Sequence, residues 1–278
     1  MSGTMDNSIV IEFVDTVFGY DPGKIILDNI NLTIAGNDFI AILGQNGCGK
    51  TTLLKNISGL LRPQQGSVFL KGTNTANMSI AEIAGHIGFV MQESERQLFE
   101  SSVYDEVAFA LKRRLAHNAI RPKVEEALAK LGLLDKRDAF PLALNRADRV
   151  KTLLAAVLAM DPKILMLDEP LAGQDVQDCR MIMDVIADLH REGCTVIMVT
   201  HNISVAAEFA RRIMVMHDGM VCMDGSPSEI FGQEEKLSDA GIYRPPITRL
   251  SASLSKTIPL EKNALSPAEL AAMLVSLK

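Results

Sequence analysis

The sequence of 278 residues predicts an α/β fold with a largely parallel sheet. Three observations lead there. The apolar runs at residues 39–43, 164–167 and 195–200 have the length and continuity of strands buried on both faces. Segments with helical spacing alternate with such runs. The first run opens directly into Gly44-Gln45-Asn46-Gly47-Cys48-Gly49-Lys50-Thr51-Thr52, a strand, glycine-rich loop, helix arrangement.

In chain order, residues 8–14 alternate and are β-branched, so they predict a strand. Phe18-Gly19-Tyr20-Asp21-Pro22-Gly23 is a turn cluster. Strands follow at 30–34 and 39–43, then the glycine-rich loop and a helix that starts near Lys50 and runs to about residue 60. Residues 67–70 form a further strand, 79–84 a short helix and 87–90 a buried strand that ends just before Gln92. Residues 93–160 change character: helical patterns at 103–111, 122–131 and 147–160 predict an inserted helical subdomain. The alternation resumes with the strand at 164–167, an amphipathic helix at 176–189 stopped at Gly193, and the strand at 195–200. Residues 213–216 and 221–223 predict a hairpin around Asp218-Gly219. These elements place one domain at 1–232 and a C-terminal extension at 233–278. In the extension Tyr243-Arg244-Pro245-Pro246 is expected to be extended. Ser266-Pro267-Ala268-Glu269 is a capping box that starts a short helix, with Leu270, Met273, Leu274 and Leu277 on one face.

A formal charge of -6 argues against nucleic acid as a partner. No apolar run approaches the roughly 20 residues of a spanning helix, and the start, MSGTMDNSIV, has no basic-then-apolar secretion pattern. Cys48, Cys179, Cys194 and Cys222 are scattered without a C-x-x-C pair, which predicts reduced thiols.

The loop at 44–52 fits G-x-x-x-x-G-K-[ST], the P-loop. Gly44, Gly47 and Gly49 let the backbone turn tightly, so that N–H groups along Asn46, Cys48 and their neighbours face an anion. Lys50 is expected to reach the outer phosphates of a nucleotide, and the Thr51 hydroxyl to hold Mg²⁺. Thr52 continues into a helix whose positive dipole end faces the phosphates. Tyr20 offers a flat ring for an adenine. Asp168 and Glu169 end a buried strand: Asp168 suits Mg²⁺, and Glu169 could take a proton from an attacking water. His201 ends the next strand, at the carboxyl edge where parallel-sheet ligands bind. Cys48 lies inside the loop, so thiol alkylation is expected to block nucleotide binding and ATP to protect.

With these motifs in order, residues 8 to about 232 resemble an ATP-binding cassette (ABC) ATPase. The residues that carry the likeness are Tyr20, the P-loop, Gln92, Asp168-Glu169, the D-loop Ala172-Gly173-Gln174-Asp175, and Thr200-His201. The resemblance implies a P-loop NTPase fold with a mostly parallel core sheet, an antiparallel β subdomain and the helical insertion. It implies ATP and Mg²⁺ as ligands, with Thr51, Gln92 and Asp168 toward the metal, Glu169, His201 and Gln92 as catalytic residues, and Asp175 in the D-loop. It further implies a head-to-tail dimer that sandwiches ATP between one chain's P-loop and the other's signature loop.

A narrower likeness, to the energy-coupling factor (ECF) group, rests on Gln92-Glu93-Ser94-Glu95-Arg96-Gln97-Leu98-Phe99, on Val103-Tyr104-Asp105-Glu106-Val107-Ala108-Phe109, and on Pro245-Pro246-Ile247-Thr248-Arg249-Leu250. It implies a peripheral subunit on the cytoplasmic side of the cell membrane. Such a subunit pairs with a second ATPase beneath a membrane T component that carries a substrate-binding S component for vitamins or transition-metal ions. The group has two acids where this chain reads Glu95 and Arg96. A soluble non-transport ABC ATPase, or a regulatory subunit with little turnover, is the alternative.

The signature departs from Leu-Ser-Gly-Gly-Gln. Counted back from Leu158-Ala159-Met160-Asp161-Pro162, the five positions are Leu144-Asn145-Arg146-Ala147-Asp148. Side chains at Arg146 and Ala147 are expected to hold the backbone away from a γ-phosphate. Asp148 is expected to add a repulsion of about 3 kcal/mol against each full charge at roughly 5 Å. Asn145 retains the ability to cap the following helix. One sound half-site and one altered half-site predict an unequal heterodimer.

Overall fold

The computed structural model describes residues 8–260 and 262–276. Its elements follow the sequence closely. The strands are β1 (Ile9–Phe18), β2 (Leu27–Ala35), β3 (Phe39–Gly44), β4 (Gln65–Leu70), β5 (Thr73–Asn74), β6 (Ile87–Val90), β7 (Ile164–Asp168), β8 (Thr195–Val199), β9 (Arg212–His217) and β10 (Met220–Gly225). The helices are α1 (Lys50–Ile57), α2 (Ile80–Ile83), α3 (Val103–Phe109), α4 (His117–Lys130), α5 (Arg146–Leu158), α6 (Val176–Arg191), α7 (Ile203–Phe209), α8 (Pro227–Gly232), α9 (Glu234–Asp239), α10 (Pro246–Leu254) and α11 (Pro267–Ser276).

The chain divides into two compact units. One comprises residues 9–34, 38–76 and 198–278, and the other mainly residues 77–197. In the first, β2-β1-β4-β5 form a sheet in which β1 and β4 run antiparallel, Phe13 opposite Val68. The antiparallel β subdomain is therefore present. Parallel β3 and β9 pair Ile42 with Met214, and β10 folds back on β9. Asp218 (φ 45°) and Gly219 (φ 79°) make that turn, the two left-handed residues a tight hairpin turn requires. All six residues of β3 are buried, as its unbroken apolar run predicts.

In the second unit β6 and β7 are parallel, with Gly88 opposite Leu165. A Cβ on Gly88 would run into Val157 Cγ1 of α5, so glycine there lets a helix lie close on the strand. Helices α3, α4 and α5 carry the apolar residues Val103, Val107, Val124, Leu128 and Leu154 inward. Helix α4 begins at His117, five residues before Pro122, where the sequence pattern places its start. Burial of Ile120, which shares a face with Val124 and Leu128, carries the helix past the proline.

The C-terminal extension holds more helix than its sequence suggested. Tyr243 to Pro245 lie outside regular secondary structure, and Pro246 opens α10 as its first helical residue. Thr248 Oγ1 donates to Ala264 O at 2.9 Å, and Ser251 Oγ accepts from Ala264 N–H at 2.9 Å. In α11 Glu269 N–H reaches Ser266 Oγ at 3.2 Å, while the Glu269 carboxylate accepts from Leu265 N–H at 2.8 Å. Leu270 is buried, Met273 half-buried and Leu274 exposed; Leu277 lies outside the described residues. Among the described residues no helix is long and apolar enough to cross a membrane.

Candidate nucleotide site

The P-loop joins β3 to α1. Gly44, Gly47 and Gly49 adopt φ values of 154°, 84° and 108°, a region that L side chains avoid. A Cβ on Gly44 would overlap Met216 O, and one on Gly49 would stand 2.8 Å from Ile26 O. Glycine is thus required twice over, by backbone and by space. Lys50 is 6% exposed, and its Nζ donates to Gly44 O and Gln45 O, both at 2.8 Å. Cys48 N–H closes the turn on Gln45 O at 3.4 Å. Asn46 is exposed on the loop, Thr51 is half-buried, and Thr52 is buried on the first turn of α1.

Tyr20 reaches the same helix. Its hydroxyl lies 3.3 Å from Thr52 Oγ1, and its ring stands edge-on to Phe18 at 5.1 Å between centroids. Tyr20 as a residue is 55% exposed. His201 follows β8 and lines a cleft of about 460 Å³ with Gln45, Asn46 and residues of the C-terminal extension. The Cys48 thiol is buried, and that burial pushes its pKa up against the pull of Lys50.

The carboxylates belong to the other unit. Asp168, at the end of β7, is 2% exposed. Glu169 follows with φ 51°, a left-handed conformation at a non-glycine residue, which sharply changes the chain direction after the strand. Asp175 caps α6, accepting from Asp178 N–H at 2.8 Å. Gln92 is exposed just after β6. The segment beyond it is pinned: Gln97 accepts from Met91 N–H at 2.7 Å and donates to Phe89 O at 3.1 Å. Buried Glu106 accepts from Phe99 N–H and Glu100 N–H at 3.0 and 2.9 Å. The motif was visible in the sequence, but this bracing was not, because it depends on a chain reversal between residues 97 and 106.

The signature region corrects one expectation. Asn145 does cap α5, its Oδ1 accepting from Asp148 N–H at 2.8 Å. Asp148, however, is 5% exposed and turned inward, with Lys136 Nζ 2.6 Å from Oδ2 and Lys151 Nζ 3.8 Å from Oδ1. Its charge is met inside the unit, so the expected repulsion toward a triphosphate does not follow from it. Ala147 is half-buried and Arg146 exposed. The Arg146 guanidinium lies over Gly173 of the D-loop, 3.5 Å from where a Cβ would be.

Comparison with known proteins agrees with this geometry. The profile of the ABC transporter family matches residues 27–172. The chain belongs to that family. This ABC cassette is 37% identical over 252 residues to a protein of Caldanaerobacter subterraneus whose name is that of an ABC transporter ATP-binding protein. The alignment covers 90% of this chain but 44% of that relative, so the chain spans under half the length of such relatives. An energy-coupling factor transporter ATP-binding protein of Methanospirillum hungatei is 37% identical, covering 91% of this cassette and 92% of its own length. Among solved structures, cbiO1 from Clostridium perfringens, part of the ABC transporter complex cbiONQ, superposes with a TM-score of 0.75. It shares 30% identity and covers 90% of this chain and 96% of its own. The cassette has the ABC-type P-loop fold of these proteins.

Proposed function

We propose that this cassette is the ATP-hydrolysing subunit of an ECF-type import transporter for a vitamin or transition-metal ion, bound to the cytoplasmic face of a membrane. The observation that carries the reading is an exposed aromatic pair. Phe99 and Phe109 meet edge-to-face at 4.8 Å, 62% and 42% exposed, in the unit that holds Gln92. The Phe99 backbone is tied to Glu106 in the braced 97–106 segment, and Phe109 ends α3. Paired, exposed aromatics suit docking of an apolar helix from a membrane component.

In the proposed mechanism Tyr20 stacks on adenine, the P-loop N–H groups hold the phosphates, and Lys50 extends to their outer oxygens. The Thr51 hydroxyl, the Asp168 carboxylate and the Gln92 amide oxygen are hard oxygen donors suited to Mg²⁺. The ion would neutralise charge on the transferring phosphoryl group. Glu169 accepts the proton of the attacking water, and His201 donates to a γ-phosphate oxygen. The partner is a second ABC ATPase with a consensus signature, since two copies of this chain would place Arg146 and Ala147 in both half-sites.

Gentle solubilisation of a tagged chain from its own membranes tests the reading. Co-purification of a second ABC ATPase, a polytopic membrane protein and a substrate-binding component is expected. Recovery only from the soluble fraction, with ribosomes or alone, would overturn it.

A further inference from the structure

Gly241 ends α9 in a left-handed conformation with φ 67°. Its N–H donates to Ser238 O at 2.9 Å, and Ile242 N–H donates to Leu237 O at 2.8 Å. That pattern by itself favours glycine. What lies against it is a separate matter. A Cβ on Gly241 would overlap Gln45 Nε2 and stand 2.8 and 3.0 Å from Gln45 Cδ and Cγ. The P-loop side chain thus rests on the bare backbone of the C-terminal extension.

The backbone on both sides of the contact is hydrogen-bonded. Gln45 O accepts from Lys50 Nζ and from Cys48 N–H, so the position of Gln45 bears on the loop that cradles phosphate. Beyond Gly241, Ile242 is buried, and Ile242 and Tyr243 wall the cleft shared with Asn46 and His201. Arg244 then ties the turn down, 2.8 Å from Glu234 Oε2 and donating to Gly232 O at 2.8 Å.

We propose that the turn at 241–243 is a positioning element for the P-loop: Gly241 seats Gln45, and ATP affinity therefore depends on the C-terminal extension. The inference rests on ATP occupying the P-loop. It gives the extension a role within its own nucleotide site, independent of any partner.

The test is a double-mutant cycle read by titration with a fluorescent trinitrophenyl ATP analogue and Mg²⁺. Gly241→Asn keeps the left-handed backbone, which asparagine tolerates, while adding a side chain against Gln45. It should raise Kd by about 5-fold or more, yet add less than about 2-fold when made in a Gln45→Ala background. Equal weakening in both backgrounds would mean a merely structural glycine and would overturn the proposal, as would no weakening in the wild-type background. If Gly241→Asn does not fold, Gly241→Ser is read in the same two backgrounds with the same criteria. A wild-type chain that fails to bind the analogue overturns the ATP assignment itself and the inference with it, a result separate from the cycle.

Discussion

Lys136 Nζ lies 2.6 Å from Asp148 Oδ2, and this ion pair turns the last residue of the altered signature into a structural one. The Asp148 side chain is 7% exposed, while Lys136 is 40% exposed and has its pKa raised by the hydrogen bond it donates to Asp148. A second cation, Lys151, is 8% exposed and bridges to Asp178 of α6. Restoring the consensus glutamine with Asp148→Gln should therefore destabilise the fold and not raise activity. Removing one partner of a buried pair costs about 3–5 kcal/mol, and the exposure of Lys136 reduces that to roughly 1–3 kcal/mol. Urea unfolding measures it. An unchanged midpoint with faster hydrolysis would mean that Asp148 acts at the nucleotide after all. Because the Lys136 pKa is raised, its part of the stabilisation is complete below the ordinary lysine value and is lost as pH rises through the raised one.

The cysteines should alkylate in an order set by burial. Cys222 is exposed, Cys48 is buried, and Cys194 is buried with its pKa pushed up to about 11 by desolvation. A higher pKa leaves less thiolate at neutral pH, and thiolate is the reactive form. Iodoacetamide at pH 8 followed by peptide mass spectrometry should label Cys222 first, Cys48 slowly and Cys194 least. Raising the pH by one unit should speed labelling of Cys48 by up to about tenfold. ATP should slow Cys48 alone. Fast labelling of Cys48 that ATP does not alter would place the thiol outside the nucleotide cradle.

Local signals were legible in the sequence, and reversals of the chain were not. Asn145 as a cap and the Asp218-Gly219 turn need only neighbouring residues, and both appear as expected. The P-loop was readable because its glycines are fixed by the backbone they must form. Lys136 gave no sign of its role, because it meets Asp148 only after the chain turns back twelve residues later. The Gly241 contact with Gln45 spans most of the chain. Helix α8 was missed for a different reason. Ser226-Pro227 followed by Glu229 is a capping box, which the structure forms in full, so the signal was present and unread.

Tyr20 separates two roles that one substitution would confound. Its ring is the candidate adenine platform, while its hydroxyl sits 3.3 Å from Thr52 Oγ1. Base stacking on an aromatic ring is worth about 1–3 kcal/mol, so Tyr20→Ala should raise the Kd for ATP roughly 5- to 150-fold. Tyr20→Phe keeps the face and loses the hydroxyl, and should change it by less than about fivefold. Calorimetric titration distinguishes them. Equal losses in both variants would assign the effect to the hydroxyl and remove adenine from the face of the ring.

Glu169 offers the sharpest division between binding and chemistry. Its left-handed φ of 51° is a backbone feature that glutamine can share, whereas the carboxylate's ability to take a proton cannot be shared. Glu169→Gln should thus leave ATP affinity within about twofold and lower kcat by roughly 10²- to 10⁴-fold, measured in the chain paired with its partner ATPase. A loss of affinity equal to the loss of rate would make Glu169 a ligand for the nucleotide. Retained turnover would assign the proton to another group, with His201 the first to test by His201→Ala. In the proposed unequal pair, where this chain would supply the P-loop and carboxylates to one half-site and the altered signature to the other, Glu169→Gln should silence the pair. The matching glutamate of the partner, which serves the half-site completed by Asn145, Arg146 and Ala147, should matter far less.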